Sequence, residues 1–215
     1  MKSWLDIALD RFRNDNDALA VATGSLLARV VPDTALHARL ANTLSMLEHL
    51  GSHKIMATQH SALIDQATLR HVAEEAYHAY FMKRQAERAA GAPLEYVDRD
   101  LLAPAAARMY FQRLEAAMVR TLARQRSVRA TYLYMSMVVE FRALWFYRLY
   151  QQTLARAGGA PTLKRVIGEE QNHLVDVARR LETAGELSDA RTDAFLAVEK
   201  GLYARLLGAM QRAAA

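Results

Sequence analysis

The chain has 215 residues, of which 52% are apolar and 24% are charged, and its formal net charge is +5. This composition predicts one folded domain spanning residues 1–215 and excludes a disordered chain. Cysteine is absent from the sequence, which rules out disulfides, thiolate zinc sites and iron–sulfur clusters. Any metal must therefore be held by nitrogen and oxygen atoms.

Charged residues interrupt the longest apolar stretches, and the N-terminal segment lacks the uninterrupted apolar core of a signal peptide. We therefore expect no membrane span and a cytoplasmic protein. The positive charge comes mostly from arginine in an alanine-rich chain. Basicity of this kind is weak evidence for a nucleic-acid partner, so we expect none.

Apolar residues recur at intervals of three and four along nearly the whole chain, which predicts an all-α fold. Proline and glycine separate the helices at 32, 91–93, 104 and 158–161. The predicted helices are 3–13, 17–30, 33–58, 65–90, one opened by Pro104 within the 91–126 connection, 127–156, 162–184 and 187–211. Two short connections and one long crossover predict a four-helix bundle at about 33–184, with extra N- and C-terminal helices. The last helix could cap this bundle or pair with a second copy in a homodimer.

One short motif occurs twice, as EEAYH at residues 74–78 and as EEQNH at residues 169–173. Residues three apart share one face of a helix, so Glu75 with His78, and Glu170 with His173, can each bind one side of a metal centre. A single Glu-x-x-His is a weak signal. A metal centre needs further carboxylates from other helices.

Glu48 and Glu140 are suited to supply them, because each stands among apolar residues of a helix that precedes one motif. An interior carboxylate is normally neutralised, paired or bound to metal. In an antiparallel hairpin, the spacing from Glu48 to Glu75 returns the chain to the same height. The second hairpin is less regular, so we expect helix 127–156 to stop early or its loop to fold back along the bundle.

The ordered set resembles the ligands of the ferritin-like diiron-carboxylate superfamily, through Glu48, Glu75, His78, Glu140, Glu170 and His173. The resemblance implies a ferritin-like fold and two iron ions, with manganese or a mixed pair as alternatives. Four glutamates would also balance the charge of two ferrous ions. The implied enzyme is a non-haem diiron oxidoreductase that activates O₂, with an external electron donor, to oxidise a small organic substrate.

Three other functions remain open: a rubrerythrin-like peroxidase or ferroxidase, a tRNA-modifying diiron hydroxylase, and a non-catalytic metal-binding helical bundle. His173 argues against iron storage, because storage ferritins usually lack this histidine. The RNA alternative depends only on a basic stretch, for which a solvated helix face is the favoured interpretation: Arg108, Arg113, Arg120, Arg124, Arg126 and Arg129.

Aromatic and methionine side chains along helix 127–156 could shape an apolar substrate pocket, although core packing is favoured for most: Tyr132, Tyr134, Met135, Met137, Phe141, Trp145, Phe146 and Tyr147. The first glutamate of each motif, Glu74 and Glu169, points about 100° away from the ligand face and should flank the site.

Two further residues are candidates for supporting roles. His71 lies four positions before Glu75, but metal ligation should require a distorted helix, so a role beside a metal ligand or at the surface is favoured over ligation. Asp176 lies three positions after His173 and is a candidate hydrogen-bond acceptor for it. The remaining histidines, His49, His53 and His60, predict no site of their own.

Overall fold

A computed structural model describes residues 2–57, 64–122, 128–158 and 162–215. Within these ranges the fold is all-α, as predicted, with one 3₁₀ turn at Asp98–Asp100. The α-helices are α1 Trp4–Asp15, α2 Asp17–Val30, α3 Thr34–Ala57, α4 Gln66–Ala90, α5 Pro104–Leu122, α6 Val128–Arg156, α7 Lys164–Thr183 and α8 Asp189–Ala213. None of these helices is both long and apolar enough to cross a membrane.

Local sequence signals determine where α4 and α5 begin and end. The Asp65 carboxylate accepts a hydrogen bond from the Thr68 backbone N–H at 2.7 Å and caps the start of α4. Gly91 ends α4 in the left-handed conformation, with φ of 67°, which glycine adopts without strain. Pro104 opens α5, where its missing N–H leaves no hydrogen bond unmade.

Helices α3 and α4 pack against each other as an antiparallel pair. Lys83 Nζ donates to Asn42 Oδ1 at 3.0 Å, and Ser45 Oγ donates to the Ala79 carbonyl at 2.6 Å. Residue numbers therefore rise along α3 as they fall along α4. This register brings the middle of α3 opposite the first Glu-x-x-His motif.

Helices α6 and α7 form the second antiparallel pair. Helix α6 runs to Arg156 and does not stop early. The Leu163 backbone N–H donates to Gln151 Oε1, so the chain has already returned along α6 when α7 begins. Leu163 thus lies back alongside α6, in agreement with the second of the two predicted alternatives, and Glu140 and Glu170 lie at the same height.

The other four helices surround these two pairs. Helix α8 packs on α5, α2 and α6, while α1 and α2 pack on each other and on α6. Helix α8 places Glu199, which is fully buried, against Arg142 of α6.

Candidate metal centre

The six predicted ligand residues meet in the middle of the α3, α4, α6 and α7 bundle. Glu48 comes from α3 and Glu140 from α6, while α4 and α7 each contribute the two residues of their motif. His78 has no exposed surface, Glu140 and His173 are each 3% exposed, and Glu48 is partly buried. Neither of the two single glutamates faces open solvent.

The ligand atoms divide into two groups, and within each group they all lie within 4.8 Å of one another. The His71 group contains His71, Glu75, Glu140 and His173. The Glu48 group contains Glu48, Glu75, His78 and Glu170. Glu75 belongs to both groups, so its carboxylate lies within reach of the ligand atoms of each.

Two carboxylates lie between the groups. Glu75 Oε1 lies 3.3 Å from His173 Nδ1, 3.6 Å from His71 Nε2 and 3.8 Å from His78 Nδ1. Glu170 faces both groups as well, because its Oε1 lies 3.3 Å from His78 Nδ1 and its Oε2 lies 3.4 Å from His173 Nδ1. Nitrogen and oxygen atoms from α4 and α7 therefore surround one shared space.

Five atoms of this cluster are buried without a hydrogen-bond partner among the described residues: Glu75 Oε1, His78 Nδ1, Glu170 Oε1, Glu170 Oε2 and His173 Nδ1. An unsatisfied buried polar atom costs about 1–3 kcal/mol, and native proteins contain few of them. Here each of the five faces another atom of the same set at 3.3–3.4 Å. Coordination of metal would satisfy all of them, so the residues fit bound metal.

The outer nitrogen of each motif histidine is held by the first glutamate of the other motif. His173 Nε2 lies 2.7 Å from Glu74 Oε2, and His78 Nε2 lies 2.9 Å from Glu169 Oε2. Such a contact fixes the ring orientation and leaves Nδ1 free to bind metal. The repeated Glu-Glu thus has a structural reason, because one glutamate faces the centre and its neighbour crosses to the opposite helix.

His71 is buried, and its Nε2 lies 2.9 Å from Glu140 Oε1. Helix α4 continues unbroken past this residue, because a histidine four positions before Glu75 already shares its face of the helix. The prediction that His71 needs a distorted helix to reach the centre is therefore wrong, and its surface alternative is wrong too. Its other nitrogen, Nδ1, lies 3.5 Å from the Tyr132 hydroxyl.

Asp176 does not take the place expected for it beside His173. Its carboxylate lies 2.6 Å from Arg179 Nη2 and 3.7 Å from Arg180 Nη1. These arginines, three and four positions further along α7, compete for it on the outer face of the helix. The prediction for Asp176 is wrong, and Glu74 takes the His173 nitrogen instead.

The carboxylates of the centre differ in their affinity for protons. Burial, and then the charges of Glu75 and Glu170, raise the pKa of Glu48 well above its usual range. Burial and the same neighbours, Glu170 first, raise the pKa of Glu140 in the same way. Tyr147 donates a hydrogen bond to Glu48 Oε1 and so restrains the orientation of this carboxylate.

The three histidines of the centre also differ in their pKa values. Burial alone would lower the pKa of His78, but the Glu170 carboxylate outweighs it and raises this pKa to about 10. Against the same effect of burial, Glu170 and Glu75 raise the pKa of His173 to about 11. Burial dominates at His71 and lowers its pKa to about 4. His71 is thus a neutral imidazole at pH 7, whereas His78 and His173 hold protons that a metal ion would displace.

The aromatic side chains of α6 mostly pack in the core, as expected. Phe141 contacts Phe12 and Trp145 contacts Tyr203, with ring centroids 5.4 Å and 5.7 Å apart. Phe146 and Tyr147 instead line a cavity of about 80 Å³ that also borders Glu48. The predicted apolar pocket beside the site therefore exists, although α6 supplies only part of its wall.

Those of the remaining candidates that the structure describes belong to neither ligand group. His49 and His53 stack with ring centroids 4.6 Å apart but belong to neither ligand group, and His60 lies outside the described residues. Arg108 pairs with Asp98 at 3.1 Å, and Arg113 and Arg120 are exposed on α5. Arg124, Arg126 and the Arg129 side chain fall outside the described part of the chain.

Compared with known protein families, curated proteins and solved structures, the chain matches none of them. Support for a metal centre therefore comes from the side chains themselves. Seven residues on four helices, with five partnerless buried atoms among them, form a cluster that could hold metal ions.

Proposed function

We propose that this chain is a ferritin-like diiron-carboxylate oxidoreductase, which uses O₂ and electrons from an external donor to oxidise a small organic substrate. One observation carries the proposal: two four-residue ligand groups share Glu75 and enclose buried atoms that have no other partner among the described residues. Carboxylates and imidazoles suit iron or manganese, and the absence of cysteine excludes thiolate sites.

The residues divide between the two ions as follows. His71, Glu140 and His173 would hold one ion, Glu48 and His78 would hold the other, and Glu75 and Glu170 would lie between them. Four carboxylates balance the charge of two divalent ions, which makes the buried centre neutral. Neutrality matters here because an uncompensated charge in the interior is costly.

A bound iron pair would supply the redox chemistry, in which O₂, two electrons and two protons convert a C–H bond to C–OH and release water. The protein contributes positioning. Glu74 and Glu169 orient the two motif histidines, and Tyr147 fixes Glu48 by its hydrogen bond. The packed aromatic side chains of α6 keep bulk water from the centre.

The cavity beside Glu48 favours an organic substrate over iron or peroxide. Eleven of its thirteen lining residues are apolar or aromatic, the other two being Glu48 and Arg142. A path for iron ions would be expected to carry carboxylates along its wall, as cation sites do. An apolar wall instead suits a carbon compound held beside one ligand of the proposed metal pair.

Metal loading followed by reaction with O₂ tests the proposal. We expect anaerobically loaded protein to bind two ferrous ions per chain by elemental analysis, with anomalous diffraction at the iron and manganese edges locating both among the ligand groups. Rapid mixing with O₂ should then consume O₂ and give a transient optical band, which Glu75→Ala should abolish. Metal uptake without reaction with O₂ or peroxide would support the non-catalytic metal-binding bundle, and absence of metal uptake would overturn the metal centre itself. Turnover with peroxide but not with O₂ would support the peroxidase, and steeply salt-dependent RNA binding the tRNA hydroxylase.

A further inference from the structure

We propose that the cavity beside Glu48 binds a small uncharged molecule with an apolar body and one hydrogen-bond acceptor, and that Arg142 donates to this acceptor. The identification of this molecule as the substrate rests on the proposed function. The binding site itself depends only on the residues that form the cavity. It can therefore be tested whether or not the metal centre is redox active.

The size of the cavity limits the ligand. Its walls come from α3, α5, α6 and α8, and its volume is about 80 Å³. One water molecule needs about 10–15 Å³ of such space, whereas a dry apolar cavity of about 150 Å³ holds benzene. The cavity therefore accepts a molecule that is larger than water and smaller than benzene, with roughly five non-hydrogen atoms.

Most polar groups in the wall are already occupied. Each of its three tyrosine hydroxyls has a partner: Tyr147 bonds Glu48, Tyr110 bonds Glu199 at 2.7 Å, and Tyr203 bonds Thr23 at 2.9 Å. The three tyrosine hydroxyls are therefore already hydrogen-bonded within the protein, and the surface between them is apolar.

Arg142 is the exception. It is 5% exposed, and Glu199 accepts from its Nε at 2.9 Å and from its Nη2 at 2.7 Å. The guanidinium also lies over the ring of Tyr203, 4.1 Å from the centroid, and over Trp145 at 4.6 Å. Its orientation is fixed by these contacts, and Nη1 is left buried with no acceptor among the described residues. Arg142 lines the cavity, and we assign Nη1 as the donor to a ligand there, because it has no acceptor among the described residues.

Charge balance decides which kind of acceptor fits. Glu199 already neutralises Arg142, so an anionic ligand would add an unbalanced charge to an apolar cavity that also borders Glu48. A carbonyl, ether or hydroxyl oxygen brings no charge and still accepts from a charged donor, which makes the hydrogen bond stronger than one between neutral groups. We therefore assign the cavity to a short neutral oxygen-containing aliphatic compound.

Three probes of the same shape separate these possibilities: butan-2-one, 2-methylbut-1-ene, which lacks the acceptor, and propanoate, which is an anion. Binding to the full chain, as purified and after loading with diamagnetic zinc, is followed by the NMR shift of the Met210 methyl group, which lines the cavity. We expect butan-2-one to bind at least about threefold more tightly than the alkene and about tenfold more tightly than propanoate. By hydrophobicity alone the alkene would bind best, so an alkene that equals or exceeds the ketone overturns the proposal.

A pair of matched variants locates the binding. Ala143→Leu fills the cavity and should abolish the Met210 response to butan-2-one, while Ala155→Leu adds the same side chain at an exposed position of the same helix and should leave it unchanged. Equal binding by the two folded variants, or no response of the parent protein, overturns the proposal. Binding by a chain that takes up iron but does not react with O₂ would reject only the proposed function.

Discussion

His173 Nε2 lies 2.7 Å from Glu74 Oε2, across the interface between α7 and α4, while the other nitrogen of this imidazole faces the shared space of the two ligand groups. Glu169 holds His78 in the same way from the opposite side. The two motifs are thus interlocked, because each supplies the support for the other's histidine. This reciprocity couples the orientation of α4 to that of α7 at the centre.

Removing either crossing carboxylate should weaken metal binding without removing a ligand. We expect Glu74→Ala and Glu169→Ala each to lower metal affinity about 10- to 100-fold, because the unsupported imidazole loses its fixed orientation and part of its basicity. Glu74→Gln should recover part of the loss, since its amide oxygen still accepts the hydrogen bond. Competition with a chelator of known affinity measures the change.

Glu182→Gln is the control for this experiment, because Glu182 is exposed near the end of α7. Its affinity should equal that of the parent protein. Unchanged affinity in both alanine variants would show that the crossing contacts do not support metal binding.

His71 should act on one ion of the pair and not on the other. His71→Ala removes a member of the His71 group only, whereas Glu48→Ala removes a member of the Glu48 group only. At metal concentrations just sufficient to load the parent protein with about two divalent ions per chain, we expect either variant to bind about one, because the remaining group keeps its ligands. Elemental analysis after desalting, with visible spectroscopy of cobalt-loaded protein, distinguishes the ion that is lost.

His53→Gln, at an exposed position of α3, is the matched control and should keep both ions. Should His71→Ala also bind both with unchanged affinity, His71 would be a neighbour of the centre and not a ligand.

Metal uptake should release protons and strengthen as pH rises. His78 and His173 have pKa values of about 10 and 11 in the metal-free chain, so both are protonated at pH 7. Because a metal ion binds only the neutral imidazole, uptake at pH 7 should release at least about two protons, and affinity should increase with pH until these groups are deprotonated. Calorimetry in buffers with different ionisation enthalpies counts the protons.

His71 gives an internal check on this count. Burial lowers its pKa to about 4, so its imidazole is neutral at pH 7. The His71→Gln variant should therefore release as many protons per ion bound at the Glu48 group as the parent protein does. Uptake without proton release would contradict the charged state of the two motif histidines.

Much of this architecture could be predicted from the sequence because its signals are local. Helix periodicity, the cap at Asp65 and the breaks at Gly91 and Pro104 determine the helix ends through contacts within a few residues. The doubled motif could also be recognised from the sequence, since Glu75 and His78 share a face of α4 whatever surrounds the helix.

The errors concern residues whose role is set by partners distant in sequence. Helix geometry alone does not show that Glu140, on α6, approaches His71. Nor does it show that His173 contacts Glu74 and not Asp176. The doubled glutamate was a usable signal for the crossing contacts, because two adjacent carboxylates on a buried motif need two different partners. Its meaning depends on the antiparallel register of α4 and α7.

Breaking the buried pair of Arg142 and Glu199 should cost far more stability than breaking a surface pair. Glu199→Ala leaves the Arg142 cation buried and unpaired, which should cost about 3–5 kcal/mol of unfolding free energy. Asp98→Ala removes an exposed partner of Arg108 and should cost about 0–1 kcal/mol. Urea unfolding of the metal-free chain measures both.

A double replacement, Arg142→Met with Glu199→Leu, separates the cost of an unpaired charge from the value of the pair. It should recover much of the stability lost in Glu199→Ala, because an apolar pair of similar volume avoids the burial of charge. If Glu199→Ala lowers the unfolding free energy no more than Asp98→Ala does, water must reach the guanidinium. Nη1 would then be hydrated, which would contradict its proposed role as a donor to a ligand. If Glu199→Ala costs several kcal/mol and the double replacement restores it, the interior around Arg142 excludes water, as the proposed role of Nη1 as a donor to a ligand requires.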